Sequence, residues 1–123
     1  GIISILIDGL KNPHGGFQSN DLLFVTNTSS GEVIINDNTF CFKNLLEKSK
    51  VLGSSEWLQN SIIIDDFVLT IDSNRTSFVI YHPKKKLYDI IPYNYNWAIQ
   101  DVINAKINDK QIELLENISL SNE

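Results

Sequence analysis

The stretch SIIIDDFVLTID, residues 61–72, sets two adjacent carboxylates, Asp65 and Asp66, between two strongly apolar runs. Ile62 and Ile64 fall on even numbers, whereas Phe67, Leu69 and Ile71 fall on odd ones. Strand side chains alternate with a period of two, so a one-residue slip at Asp65-Asp66 brings all five onto a single face. A β-bulge or a tight turn produces that slip. Neighbouring strand residues point to opposite faces, so this pair cannot grip one ion together, and no further ligand stands at calcium-loop spacing. The two residues are expected at a bulge or turn, with an acidic surface as its use. Asp72 takes the solvent parity of the strand from Phe67, if the odd-numbered residues face the core.

Working outward, DSNR leads into TSFVIY and HPKKK leads into LYDII, which predicts a three-stranded antiparallel meander. Upstream, DLLFVTN and GEVIIN flank TSS and read as a hairpin. Helices are expected at four places. Ile3, Leu6, Ile7 and Leu10 recur at helical spacing and suggest a short helix ending near Lys11, before the breaker NPHGG. Asn38 and Thr39 can cap a helix over FCFKNLLEKSK, closed by Gly53, with one more turn after Ser55 carrying Trp57 and Leu58. Asn96 can cap WAIQDVINAKI, whose Ile99, Val102, Ile103 and Ile107 form an apolar stripe. NDKQIELLENI continues that helix or forms a second, and SLSNE is expected to fray. No repeat or linker is apparent. The expectation is a single domain over residues 1–123 of the α+β class. It has about five mostly antiparallel strands, a hairpin followed by the meander, with helices packed on one face.

The chain carries 15 acidic and 10 basic side chains, a formal charge of −5. Such a surface opposes phosphate backbones, which argues against general nucleic-acid binding, and it speeds encounter with a basic partner. The 42% apolar content is that of a folded chain. Fourteen asparagines make the three N-x-S/T matches at Asn27, Asn74 and Asn117 unremarkable by chance. The apolar start GIISILID lacks the basic region and cleavage site of a signal peptide. No run is long enough to span a bilayer. The single Cys41 sits between two Phe as a small hydrophobe and fits a reducing cytoplasm.

Chemical motifs are sparse. His14 and His82 stand in turn sequences without metal-ligand spacing, and Lys84, Lys85 and Lys86 read as a solvated hairpin tip. Nothing resembles a nucleophile elbow, a phosphate loop or a paired-carboxylate site, so no catalytic residue, metal, cofactor or small-molecule ligand is expected. Tyr93 and Tyr95 in PYNYNW are aromatics of the kind that anchor protein interfaces. Asp65, Asp66, Asp72 and Asp89 could supply an acidic face beside them.

In its size, acidity and lack of catalytic motifs the chain resembles the small immunity proteins of bacterial toxin systems, including contact-dependent inhibition. That resemblance implies a cytoplasmic, non-enzymatic inhibitor that occludes the active site of a basic toxin or nuclease domain. The same profile is similar to that of class I type III secretion chaperones, which implies an α+β homodimer holding an effector segment, with the helix from Asn96 as a dimer face.

Overall fold

Short alternating runs broken by tight polar turns pair with their sequence neighbours, because hairpin closure is the least costly way to satisfy a strand's backbone. The computed structural model describes residues 1–19, 21–45, 47–50 and 55–118. Eight strands are formed: β1 His14–Ser19, β2 Leu22–Asn27, β3 Glu32–Ile35, β4 Asn38–Cys41, β5 Leu58–Ile64, β6 Phe67–Asp72, β7 Ser77–His82 and β8 Leu87–Pro92. They make two antiparallel meanders, β1-β2-β3-β4 and β5-β6-β7-β8. One helix follows, α1 at Asp109–Glu116.

The architecture is therefore mostly β, and the α+β expectation of five strands with helices on one face is overturned. Each misplaced helix has a physical reason. Residues 3–11 carry helical periodicity but form no helix, and Ile2 and Ile3 stand 99% and 96% exposed. So short a stretch does not offset the cost of helix nucleation by itself, and only its later residues, Leu6, Ile7 and Leu10, reach the first sheet. At residues 39–42 the period-two placement of Phe40 and Phe42 prevails, giving β4 in place of the expected helix. Residue 46 of that expected helix, its closing Gly53 and the tail 119–123, where fraying was expected, lie outside the described residues. Leu58 opens β5 and is fully buried, where a helical turn was expected. The stripe after Asn96 is rich in β-branched residues with poor helix propensity, and it stays irregular through residue 108. Helix begins only where DKQIELLE supplies good formers and Asn108 caps it in a box with Gln111.

The two meanders are one unit used twice, a repeat not apparent in the sequence. In the first, Ser19 pairs with Leu22, Val25 with Ile34 and Thr26 with Val33. In the second, Ile64 pairs with Phe67, Thr70 with Val79 and Ile71 with Phe78, each residue 45 positions further on (for example 22 + 45 = 67). The last hairpin keeps the register with a longer offset: Val33 pairs with Phe40, and Phe78 with Ile91. Corresponding bonds recur, with Phe42 N–H donating to the Gly31 carbonyl and Tyr93 N–H to the Thr76 carbonyl. Between residues 14–35 and 59–80, only Asp21/Asp66 and Ile35/Ile80 are identical.

Asp65 and Asp66 form the two-residue turn of the β5–β6 hairpin, with Asp65 in the left-handed region at φ 53°. The turn does place Ile62, Ile64, Phe67, Leu69 and Ile71 on one face. That face is not the one against the other sheet. Val68, Val79 and Tyr81 pack there with Leu58 from β5 and with Phe24, Val33 and Phe42 from the first meander. Phe40 stacks on Tyr81 at 4.1 Å, and a thread of hydroxyls crosses the interface from Thr26 to Ser61 at 2.8 Å and on to Thr70 at 2.7 Å. Each large apolar side chain buried here stabilises the pair of sheets by roughly 1.5–3 kcal/mol.

Both units cross from second to third strand through a left-handed residue, Gly31 at φ 67° and Thr76 at φ 46°. A Cβ on Gly31 would also lie 2.5 Å from Glu56 Cγ. Gly31→Ala is expected to lose more than the roughly 1–2 kcal/mol that a left-handed alanine costs. Thr76→Gly relieves the same backbone but surrenders the 2.8 Å bond to Ser49, and should stay within about 1 kcal/mol of wild type. Urea unfolding midpoints of the two variants measure both; equal losses would contradict this account of the crossing.

Candidate functional site

A four-stranded meander sends its first and third turns to one end and its middle turn, with both strand exits, to the other. Asp21, Asp37 and the pair Asp65-Asp66 are thereby gathered on one rim, all exposed, with the Lys84–Lys86 tip beside them. A cleft of about 320 Å³ opens here between the sheets, lined by Asn36, Asn38, Asp65, Asp66, His82 and Lys84 among others. Carboxylates and ammonium groups share this rim, so it is not a strongly acidic face. His82 ends β7 and holds the turn that follows: its Nδ1 accepts from the Lys85 N–H at 3.2 Å and its ring meets Phe67 edge-on.

The opposite end holds the buried charges. Asp72 was expected on the solvent parity, but Val68, Thr70 and Asp72 face the other sheet, and Asp72 is completely buried. One carboxylate oxygen accepts from Arg75 Nη1 at 2.9 Å and the other from the Arg75 backbone N–H at 3.2 Å. The same guanidinium donates to Glu56 at 2.7 Å and to the Lys43 carbonyl at 3.0 Å, and Lys48 completes the set at 2.9 Å from Glu56. Asp72 is thus enclosed in a structural network and offers nothing to a partner.

Burial raises the Asp72 carboxyl above its ordinary value, by more than the charge and hydrogen bonds of Arg75 pull it down. Burial also pushes Glu56 up, but bonds and charges from Arg75 and Lys48 outweigh it and leave that carboxyl lowered. The two carry opposite signs in the pH dependence of stability. Glu56 stabilises the fold above its ordinary value of 4.5 and loses that contribution as pH falls through its lowered value. Asp72 costs stability as pH rises from its ordinary 3.8 through its raised value.

At this end a second cleft, of about 370 Å³, runs between β5 and the chain that follows β8. Trp57, Tyr93 and Trp97 form its aromatic walls, with Gln59, Gln100 and Lys50 among the polar lining. The pairing of β5 with β6 is irregular between Leu58 and Ser61, which lets Gln59 depart from the strand's alternation. Its side chain is 4% exposed, and its Oε1 has no hydrogen-bond partner. Tyr93 rests on Phe78 with ring centroids 5.1 Å apart, and burial raises its phenol above the ordinary value. Lys50 lies over the exposed ring of Tyr95 at 4.4 Å. Asn60 donates to Asp101 at 2.6 Å and ties the segment after Trp97 back to β5.

The six residues singled out in the sequence therefore separate. Tyr93 lines the aromatic cleft and Tyr95 stands beside it through Lys50. Asp65 and Asp66 lie a strand's length away, roughly 17–20 Å. Asp89 is exposed in the middle of β8, opposite Ile80, with its carboxylate accepting from the Ile90 N–H. Trp57, Gln59 and Trp97 complete the cleft. The two Trp could have been noticed as the only two in the chain, whereas nothing around Gln59 distinguishes it from other polar strand residues.

No protein-family model, curated protein or solved structure matches the chain. Among the described residues no three His, Cys, Asp or Glu side chains are placed to share a metal ion, and no helix is long and apolar enough to cross a membrane.

Replacing Arg75 by Leu should destabilise the fold by about 3–5 kcal/mol at neutral pH, since it leaves a buried carboxylate without its cation. The loss should shrink at pH 4, where Asp72 with its raised value takes up a proton. Chemical denaturation at the two pH values measures this, and a loss independent of pH would contradict the role given to Asp72.

Proposed function

We propose that the chain is a non-catalytic, cytoplasmic protein-binding module that takes a basic partner, with neutralisation of a toxin or nuclease domain as its specific role. The observation that carries the reading is the cleft walled by Trp57, Tyr93 and Trp97, whose lining residue Gln59 keeps its carbonyl buried and unpartnered. A buried acceptor without a donor is costly, and in this reading the amide turns toward the cleft to take an N–H from a partner and recover that cost. Aromatic walls suit a guanidinium, which stacks on ring faces while its edge donates hydrogen bonds. The net charge of −5 acts at longer range, raising the rate of encounter with a basic surface. In this reading the cleft anchors a partner arginine and the overall field steers it. Asp65 and Asp66 contribute to the field as turn residues, and Asp72 does not contribute as a contact. The chaperone alternative shares the chain's size and acidity, but the α+β architecture and the dimer helix from Asn96 that it implied are not among the elements formed by the described residues.

Tryptophan fluorescence tests the reading, because both indoles of the chain line the cleft. An arginine-rich peptide should change the emission saturably and more weakly as salt is raised, while a glutamate-rich peptide of equal length should not. Gln59→Leu should weaken the arginine-rich peptide about tenfold, a loss of about 1.4 kcal/mol in keeping with one hydrogen bond to a charged donor. Equal responses to both peptides, or none from Gln59→Leu, would remove the cleft as the anchor.

A further inference from the structure

The two meanders pack front to back. The first sheet meets the second with Phe24, Thr26, Val33 and Ile35, and the residues 45 positions later, Leu69, Ile71, Phe78 and Ile80, lie on the far side of the second sheet. Conversely, the second sheet's packed residues Val68, Thr70 and Val79 correspond to Leu23, Val25 and Ile34, on the far side of the first. A face-to-face sandwich would bury equivalent residues of both sheets. Here every unit has a forward face and a rear face, both apolar, and the single contact present uses one of each.

We infer that a second copy of this chain stacks in the same sense, its first sheet's rear face against the forward face of the second sheet. Part of the forward face is covered within the chain, since Ile71 is completely buried and Tyr93 rests on Phe78. The remainder is built for such a neighbour: the half-buried Leu69 and Ile80 stand where Phe24 and Ile35 stand in the buried contact, and Phe67 and Ile91 are 45% and 44% exposed. The rear face of the first sheet is an open groove in which Leu23 and Val25 are flanked by Leu6, Ile7 and Leu10. Front-to-back stacking of four-stranded meanders is the principle of radial-repeat architectures, in which closure into a ring leaves no face uncovered. A contact of this kind is heterologous, so it closes as a ring or continues as a filament.

Sedimentation velocity with two complementary variants tests the stacking. Leu69→Asp with Ile80→Asp disables the forward face, and Leu23→Asp with Ile34→Asp disables the rear. Wild type is expected to sediment as a multiple of 14.0 kDa at micromolar concentration. Each variant alone should be monomeric, and an equimolar mixture should give a dimer and nothing larger, because only one forward and one rear face remain intact. A monomeric wild type overturns the inference, as does a mixture that stays monomeric. Association abolished by the forward variant but untouched by the rear variant overturns it too, since that marks a two-fold interface. Far-UV circular dichroism and urea unfolding report whether each variant folds. If either double change unfolds the chain, the single changes Phe67→Asp and Leu23→Asp make the same comparison.

Discussion

A sheet that is apolar on both faces cannot be satisfied by one neighbour, and this constraint governs the molecule. In an ordinary two-layer β-protein one face of each sheet is polar and ends the structure. In β6 and β7 the residues turned away from the packed interface, Leu69, Ile71, Phe78 and Ile80, are as apolar as the packed Val68, Val79 and Tyr81. The interface that is formed holds its register through polar pairing as well as apolar bulk. The hydroxyls of Thr26, Ser61 and Thr70 find partners only when the sheets are aligned as they are, and a slip would strand buried oxygens.

The same contact explains where the charges lie. Arg75 sits in the crossing turn of the second unit, yet it is held by Glu56, which precedes β5, and by the carbonyl of Lys43, which follows β4. Glu56 in turn packs against Gly31 in the crossing turn of the first unit. One guanidinium therefore joins both units and both ends of the chain connecting them. The aromatic cleft lies at this end of the sheets, so its walls rest on the most heavily cross-connected part of the fold. The rim bearing Asp65 and Asp66 is made of hairpin turns, whose shape each hairpin settles for itself.

What could be read in the sequence was local. The hairpin of β2 and β3 and the meander of β6, β7 and β8 follow from alternation and turn residues, and the phase slip at Asp65-Asp66 correctly marked a change of direction. Parity alone, however, cannot say which of two apolar faces is packed, and the wrong choice placed Asp72 in solvent. β1 and β4 were hidden because HGGFQS has little apolar signal, and NTFC is too short to set its period against the helical one. The repeat was invisible for a related reason. It resides in register and left-handed crossings, which different residues satisfy, Gly31 in one unit and Thr76 in the other. In the cleft, the aromatic segment stood out by composition, whereas Gln59 gains its importance from a strand irregularity and from a missing partner, neither of which is a property of residue type.

The units differ in length at one strand junction, the outer hairpin. β3 and β4 close through Asn36 and Asp37, whereas β7 and β8 add the pairs Tyr81–Tyr88 and His82–Leu87 and a loop through Pro83 and Lys84–Lys86. Six residues are gained there, since corresponding positions lie 45 apart before the turn and 51 apart after it (Ile35 to Ile80, Asn38 to Asp89). The pairing inward of the extension is unchanged. Tyr81, the first residue added, packs in the core against Phe40 and Phe42, so the base of the extension belongs to the contact between the sheets, and only the exposed Lys84–Lys86 tip is free to vary in charge without touching it.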